Sequence, residues 1–572
     1  MGFSNPSIRN RIMSIALAAF VLPAILPASL PAQEKLLPGG GSAPALGGDI
    51  QPVLVLTVAS IDKLMKDINY MTGAMGQPQA GGMFQMMAAT FTQGIDPTQP
   101  IGVLVPMVDG APEPIAVIPS PDVNTVLDRL KAQIGPVDKL DDGTLAIAVG
   151  VNTIYIRQNA GWAVLARNRD LLAMAPADPT TLFEGMGNDY DLAFRVRMQQ
   201  VPAETRNMIV AQLRQGFEQA MARQNDNDAE AARKMAENSI AQIELLIQDT
   251  DELSFGFNID SDNQQLVTDF QFTAVDGSDL AEMYSGQKAI PSRFASVIRS
   301  SAAAYYHGAS SISAKSIELT RTGVESSINT IRTALAGQEN LSPSDRADIT
   351  EMIDRIAELA VNSISEGKID MGAMLIADPD QFRFVLGAFV SDGNEAAQIV
   401  KDLADKVKDE PNAPRFMFDQ GKHNGVTMHR IEADVPADKD EARKIFGDTL
   451  RVHIGTAEKA VYLAVGDDSE AEMKRLIDAG DQAPGGQQPL AQLRFTLLPV
   501  LEYAQSIEEN DVVAAMITAL TGSPDPGLVS VISDSLPNGA KSQVIMGEGL
   551  LKAIGSAVMA AQRAKMQGQG QF

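Results

Sequence analysis

The feature that most limits what this chain can fold into is that its own pattern recurs. Ile154-Tyr155-Ile156 lies 298 positions before Val452-His453-Ile454, and at that offset Leu165-Ala166 falls on Leu463-Ala464 and Asp170 on Asp468. A second block repeats at an offset of 270, where Gly102 falls on Gly372, Asp122 on Asp392 and Asn124 on Asn394. A third places Leu192 and Phe194 on Leu493 and Phe495. A fourth sets "ELSFGFNIDSDNQQLVTDFQF" opposite "GLVSVISDSLPNGAKSQVIMG", two strand pairs around polar turns. Four blocks in one order, with offsets that drift only through insertions, point to a divergent tandem repeat of about 240–260 residues, far longer than a solenoid period. Whatever the unit is, the chain builds it twice.

The unit reads as strands and helices in irregular alternation. "TIYIRQ" and "LRVHIG" carry apolar residues at every second position, as a strand with one buried face requires. Strands that follow one another through short turns favour antiparallel pairing. The helices "DVNTVLDRLKAQI" and "NEAAQIVKDLADKV" occupy matching places in the two copies but set up no regular βαβ rhythm. The expected class is therefore α+β, each copy a mainly antiparallel sheet with helices covering one face. The copies are expected to differ in their helices. In the first, "ETRNMIVAQLRQGFEQAMARQ" places Ile209, Leu213, Phe217 and Met221 on one stripe and continues as a helical hairpin. The second has an earlier helical insertion instead, with Ser342 and Ser344 as candidate N-caps. The boundaries that follow are a first repeat over 52–290, a second over 291–565 and a disordered tail over 566–572.

The N-terminus suggests a compartment. Arg9 and Arg11 precede "IMSIALAAFVLPAILPASLPA", an apolar run broken by Pro23 and Pro27, and the small residue Ala32 stands before "QEK". This is the pattern of a secretory signal peptide over 1–32, and the prolines disfavour a spanning helix. A Gly/Pro-rich linker over 33–51 follows. Loss of 1–32 removes two arginines and no acid, taking the formal charge from −26 to −28. Such a surface repels phosphate backbones, which argues against nucleic-acid partners. No later stretch is long and apolar enough to span a bilayer. Cysteine is absent, so disulfides, thiolate metal sites and cysteine nucleophiles are excluded together. The signal ending near "LPAQ", the acidic mature chain and the lack of cysteine resemble uncharacterised secreted proteins of planctomycete-type bacteria. The resemblance covers the signal and the composition, and implies export without implying an activity.

No P-loop, GxGxxG, HExxH, GxSxG or EF-hand loop is present. Ser60-Ile61-Asp62-Lys63 fits the SxxK pattern of penicillin-recognising enzymes, but the SDN and KTG elements are missing, so Ser60 reads as a helix N-cap. His423, His429 and His453 fall on neighbouring strands of the second copy, and His429 and His453 are compatible with one sheet face and a metal site. The first copy has Ile147 and Tyr155 at the positions matched to His429 and His453, so the fold does not depend on a metal. "NDNDAE" at Asn225 and "DDSE" at Asp467 read as a polar turn and a helix start rather than calcium loops. Met71, Met75, Met83, Met86 and Met87 crowd one stretch, compatible with loosely packed core or with a surface for an apolar ligand or partner. No catalytic residue, metal ligand or cofactor site is assigned. The reading is a non-enzymatic exported protein of the periplasm, cell envelope or extracellular space that binds a protein partner or apolar ligand. The alternative is a hydrolase with a site outside familiar motifs.

Overall fold

The computed structural model describes residues 51–150, 152–221, 240–336, 342–408, 413–480 and 488–569. The expected signal, the linker up to residue 50 and the "NDNDAE" turn lie outside the described residues. Ten strands of the first half enter one sheet: β1 (Pro52–Val58), β2 (Ile101–Val108), β3 (Ile115–Pro119), β4 (Val137–Lys139), β5 (Leu145–Val149), β6 (Asn152–Asn159), β7 (Trp162–Ala166), β8 (Leu192–Arg197), β9 (Thr250–Asp260) and β10 (Gln265–Ala274). Ten from the second half join them: β11 (Ala304–Ser311), β12 (Lys368–Asp378), β13 (Gln381–Phe389), β14 (Arg415–His423), β15 (Val426–Asp434), β16 (Thr449–Ala457), β17 (Ala460–Gly466), β18 (Ala491–Thr496), β19 (Leu528–Leu536) and β20 (Gly539–Gly547). Every pairing is antiparallel. The first half runs β4-β5-β6-β7-β3-β2-β1-β8-β9-β10 across the sheet. The second half runs β14-β15-β16-β17-β13-β12-β11-β18-β19-β20. Strand n of one half thus occupies the place of strand n + 10 in the other. The halves meet where β10 pairs with β20 from Gln265 opposite Gly547 to Thr273 opposite Gly539.

The ladder tests each sequence match residue by residue. Gly102 faces Thr57 and Val117, while Gly372 faces His307 and Gly387. Val117 faces Val164, and Gly387 faces Tyr462. The offsets of 270 and 298 therefore agree with each other across four strands. The third block does not. Ala193 faces Thr57 and Gln492 faces His307, so Leu192 corresponds to Ala491, two residues from Leu493. A two-residue slip leaves every side chain on its original face, so apolar alternation could not detect it. At the junction Asp269 faces Gln543, and the register makes these two residues equivalents of each other. Gln543 Nε2 donates to Asp269 Oδ1 at 2.8 Å and the Tyr190 hydroxyl to Oδ2 at 2.9 Å, so the polar pair on the approximate two-fold is satisfied though buried.

Helices lie on both faces, not on one. Among the described residues those of six residues or more are α1 (Ile61–Ala74), α2 (Pro78–Phe91), α3 (Val123–Ile134), α4 (Ala203–Met221), α5 (240–249), α6 (Asp279–Tyr284), α7 (Ala314–Ala336), α8 (Pro343–Ser365), α9 (Gly393–Val407), α10 (Asp440–Phe446), α11 (Ser469–Ala479), α12 (Leu497–Ile507), α13 (Asp511–Thr521) and α14 (Glu548–Gln569). On one face Val123 and Leu127 of α3 pack on Ile147, Ile156 and Ala163, and Ala396 and Val400 of α9 pack on Leu386, Ile454 and Leu463. The opposite face holds Phe183 and Met186 over Leu104, Val117 and Val164, and Met473, Leu476 and Ile477 of α11 over Val385, Tyr462 and Ala464. Central strands with both faces covered must be apolar on both, as "AVYLAV" of β17 is.

The expected contrast between the halves' helices is also corrected. Both halves place a helix pair between their first two strands, α1–α2 and α7–α8, and another between their eighth and ninth, α4–α5 and α12–α13. The glycines of α2 and Pro499 inside α12 obscured the helical period. Asp122 and Asp392 cap α3 and α9 in the same way, each accepting from the backbone amide two residues on. Ser342 stands just before α8, whereas Ser344 lies inside its first turn. The stripe on α4 is not buried: Ile209 and Leu213 are exposed. Helix α14 continues to Gln569, past the expected start of a disordered tail.

Gly102 shows why a small residue sits at one matched position. A Cβ there would lie 2.3 Å from the Phe183 ring, which fills a notch on the sheet, and at Gly372 a Cβ would lie 2.9 Å from the Phe294 Cβ. Gly102→Val is expected to lower unfolding free energy by about 1–3 kcal/mol through overpacking, read by urea denaturation. An unchanged midpoint would show that Phe183 yields freely.

Candidate docking surface

Helix α1 starts at Ser60, whose Oγ accepts the Lys63 amide at 3.3 Å, as an N-cap does. The Lys63 ammonium turns away from that hydroxyl. It donates to Asp67 at 2.9 Å, Asp191 at 2.6 Å and Asn258 at 2.7 Å. Asp67 and Asp191 are almost fully buried, so the ammonium is their counter-ion. Burial raises the Asp191 carboxyl above the ordinary range, and the Lys63 and Ile259 hydrogen bonds oppose that shift. A polar cavity of about 300 Å³ opens beside this cluster, lined by Lys63, Lys66, Asp189, Asn258 and Asp260 among others.

His423, His429 and His453 do not gather. His429 pairs with Ile454 and His453 with Arg430, which puts the two imidazoles on opposite faces of the sheet. His429 Nδ1 accepts the Asp419 amide at 3.2 Å, and its Nε2 lies 3.0 Å from the Thr456 hydroxyl. His453 Nδ1 lies 3.7 Å from Glu470 on α11. Burial lowers both pKa values, opposed by Asp419 and Glu470 respectively. His423 sits at the end of the edge strand, 2.6 Å from Asp478. The register also corrects a match: His429 corresponds to Leu145 rather than Ile147, because Ile454 corresponds to Ile156 and Leu145 faces Ile156. In "DDSE", Asp468 is the left-handed residue before α11, with φ 48°. Among the described residues no group of three or more His, Asp or Glu side chains is arranged to hold a metal.

The methionine cluster divides in two. Met71 and Met75, near the end of α1, pack with Tyr70 and Ala74 against Ile259, Leu266 and Leu551. There α14 crosses closely, and a Cβ on Gly555 would lie 2.1 Å from the Met75 carbonyl oxygen. Burial pushes the Tyr70 phenol up to about 12, with Glu548 and Asp525 adding to the shift. Met83, Met86 and Met87 lie on α2 and are 72%, 75% and 56% exposed. Phe84 and Phe91 beside them are exposed as well. Met83, Met87 and Phe91 are four apart and share one side of the helix. Gly81 is the buried point of α2, set so close to α1 that a Cβ would lie 2.5 Å from the Thr72 hydroxyl. From Ile68 to Ile95 the sequence carries no Asp, Glu, Lys or Arg.

A helix apolar on nearly every side belongs in a core or against a partner. Here it stands on the surface of a chain with 118 charged residues, 46 basic and 72 acidic. The charge-free stretch was the sequence signal for this surface; methionine count alone did not separate Met71 from Met83. No family model matches the chain, and no curated protein or solved structure matches it.

Proposed function

We propose that the protein is a non-enzymatic, exported component of the cell envelope or periplasm that binds a protein partner or apolar ligand through α2. The observation that carries this reading is the exposure of Met83, Phe84, Met86, Met87 and Phe91 on one uncharged helix. Methionine suits such a surface, since its unbranched, polarisable side chain adapts to irregular apolar shapes. Export rests on Arg9, Arg11, the apolar run and Ala32. Origin by tandem duplication is part of the same proposal, supported by the shared strand order and by the offsets of 270 and 298. The alternative, a hydrolase, has the polar cavity at Lys63 as its nearest support, and there the ammonium is already engaged by Asp67 and Asp191.

Limited peroxide oxidation with peptide mass spectrometry tests the docking surface, because methionine oxidation follows exposure. In purified protein Met83 and Met86 should oxidise well ahead of Met71 and Met75. In native envelope preparations that advantage should disappear. Equal rates for Met83 and Met86 in both preparations would remove the basis for α2 as a docking element. N-terminal sequencing should find a mature start near Gln33, and soluble cytoplasmic protein with Met1 intact would rule out export.

A further inference from the structure

The occupant of α2 can be narrowed by what lies next to it. Helix α14 runs past the α1–α2 corner, where Met559 reaches within 3.2 Å of a Cβ position on Gly76. One helical turn beyond Met559 stands Arg563, followed by Lys565 and by Met566, which is 66% exposed. From Gly549 to the C-terminus the sequence holds Lys552, Arg563 and Lys565 and no acid, a local reversal of sign in a chain of net charge −26. Neither Arg563 nor Lys565 has an ion pair or side-chain hydrogen bond with the described residues. The cationic, methionine-bearing end of α14 therefore continues from the corner at which the uncharged apolar helix begins.

We infer that this corner docks on a phospholipid surface, an inference that rests on α2 being the docking element. Three properties favour lipid over a folded partner. The exposed side chains of α2 project from a convex helix, whereas a helix that recognises a protein needs one apolar face matched to a groove. Fourteen residues make about 21 Å of helix, too short to cross a bilayer and suited to lying within its interface. Arg563 and Lys565, in a stretch without acids from Gly549 onward, extend from the helix that meets the α1–α2 corner, where lipid phosphates would meet them. The large negative charge elsewhere orients the molecule, keeping its other sides off an anionic leaflet. Met83, Met87 and Phe91 enter the acyl boundary, and Arg563 and Lys565 reach the phosphate layer.

Vesicle flotation of the full mature chain provides the test, with phosphatidylcholine vesicles alone and with added phosphatidylglycerol. The wild-type protein should float with both. M83Q/M87Q should weaken partitioning about tenfold or more, since two apolar side chains no longer enter the acyl boundary. R563Q/K565Q should weaken it severalfold at low salt and much less at high salt, where the phosphate contacts are screened. These side chains are exposed, so both variants should keep the wild-type circular dichroism and melting temperature, which is checked first. Failure of the wild type to float, or flotation of M83Q/M87Q equal to wild type, overturns the inference. A concentration-dependent dimer abolished by M83Q/M87Q, without flotation, assigns the surface to a second copy and also overturns it. Protection of Met83 and Met86 in native preparations without vesicle binding leaves α2 a docking element for a protein and removes only the lipid.

Discussion

Glu472→Ala is expected to destabilise the protein by about 3–5 kcal/mol, the range for breaking a buried ion pair from one side. Glu472 lies on α11, is fully buried, and meets three guanidiniums: Arg299 at 2.5 Å, Arg475 at 2.6 Å and Arg383 at 3.4 Å. Burial by itself raises the carboxyl pKa, but Arg299 and Arg475 outweigh it and hold the group below its ordinary value. The carboxylate also joins separate pieces of chain. Arg299 comes from the segment leading into β11, Arg383 from β13 and Arg475 from α11 itself, so its loss leaves cations facing one another at the edge of the second core. The sign with pH follows: a depressed carboxyl pKa contributes stability that is present above the unfolded value and is lost as pH falls through the folded one. Urea denaturation at neutral pH measures the effect. A loss below about 1 kcal/mol would mean that the half-exposed Arg475 and solvent already screen the cluster, as they do for surface pairs.

What the sequence disclosed follows from the range of each signal. Alternation with period two is local, and it placed strands such as β6 and β16 correctly. Tandem offsets carried the reading further, because Gly102 and Gly372 are both held small by close packing, against the Phe183 ring in one half and the Phe294 carbonyl and Cβ in the other. Register within a face is not local, which is why Leu192 was matched to Leu493 and His429 to Ile147. Strand neighbours far apart in sequence decide such questions, and so the placement of His429 and His453 on opposite faces was legible only from the ladder. The candidate docking surface was half legible. The methionines were visible as a group, but their division into packed Met71 and Met75 and exposed Met83, Met86 and Met87 depends on Gly81 holding α2 against α1 at a single point. The engagement of Lys63 by Asp191 and Asn258 joins positions far apart along the chain, beyond any periodic signal.

His307 should make the protein acid-labile well above the range where carboxylates titrate. It lies on β11 between Gly372 of β12 and Gln492 of β18, wholly buried, and neither ring nitrogen has a hydrogen-bond partner among the described residues. Thr57 holds the corresponding place in the first half, so the strand position does not require an imidazole. Burial without a partner disfavours the charged form and lowers the pKa from 6.5 to about 4. The unfolded chain therefore takes up a proton first. Above pH 6.5 both states are neutral at this residue and it contributes no pH dependence. As pH falls from about 6.5 to about 4 the unfolded state gains, and the accumulated loss is about 3 kcal/mol at roughly 1.36 kcal/mol per pH unit. His307→Thr, which installs the residue of the other half, removes that term. Its stability at pH 7 is expected to fall slightly, because the smaller side chain leaves space, but its stability should decline less steeply between pH 6.5 and 4. The comparison is made as the difference between the two curves, since Glu472 and the other carboxylates contribute equally to both. Parallel curves would mean that His307 is hydrated or protonated in the folded state, and would contradict its burial as a neutral, unpartnered ring.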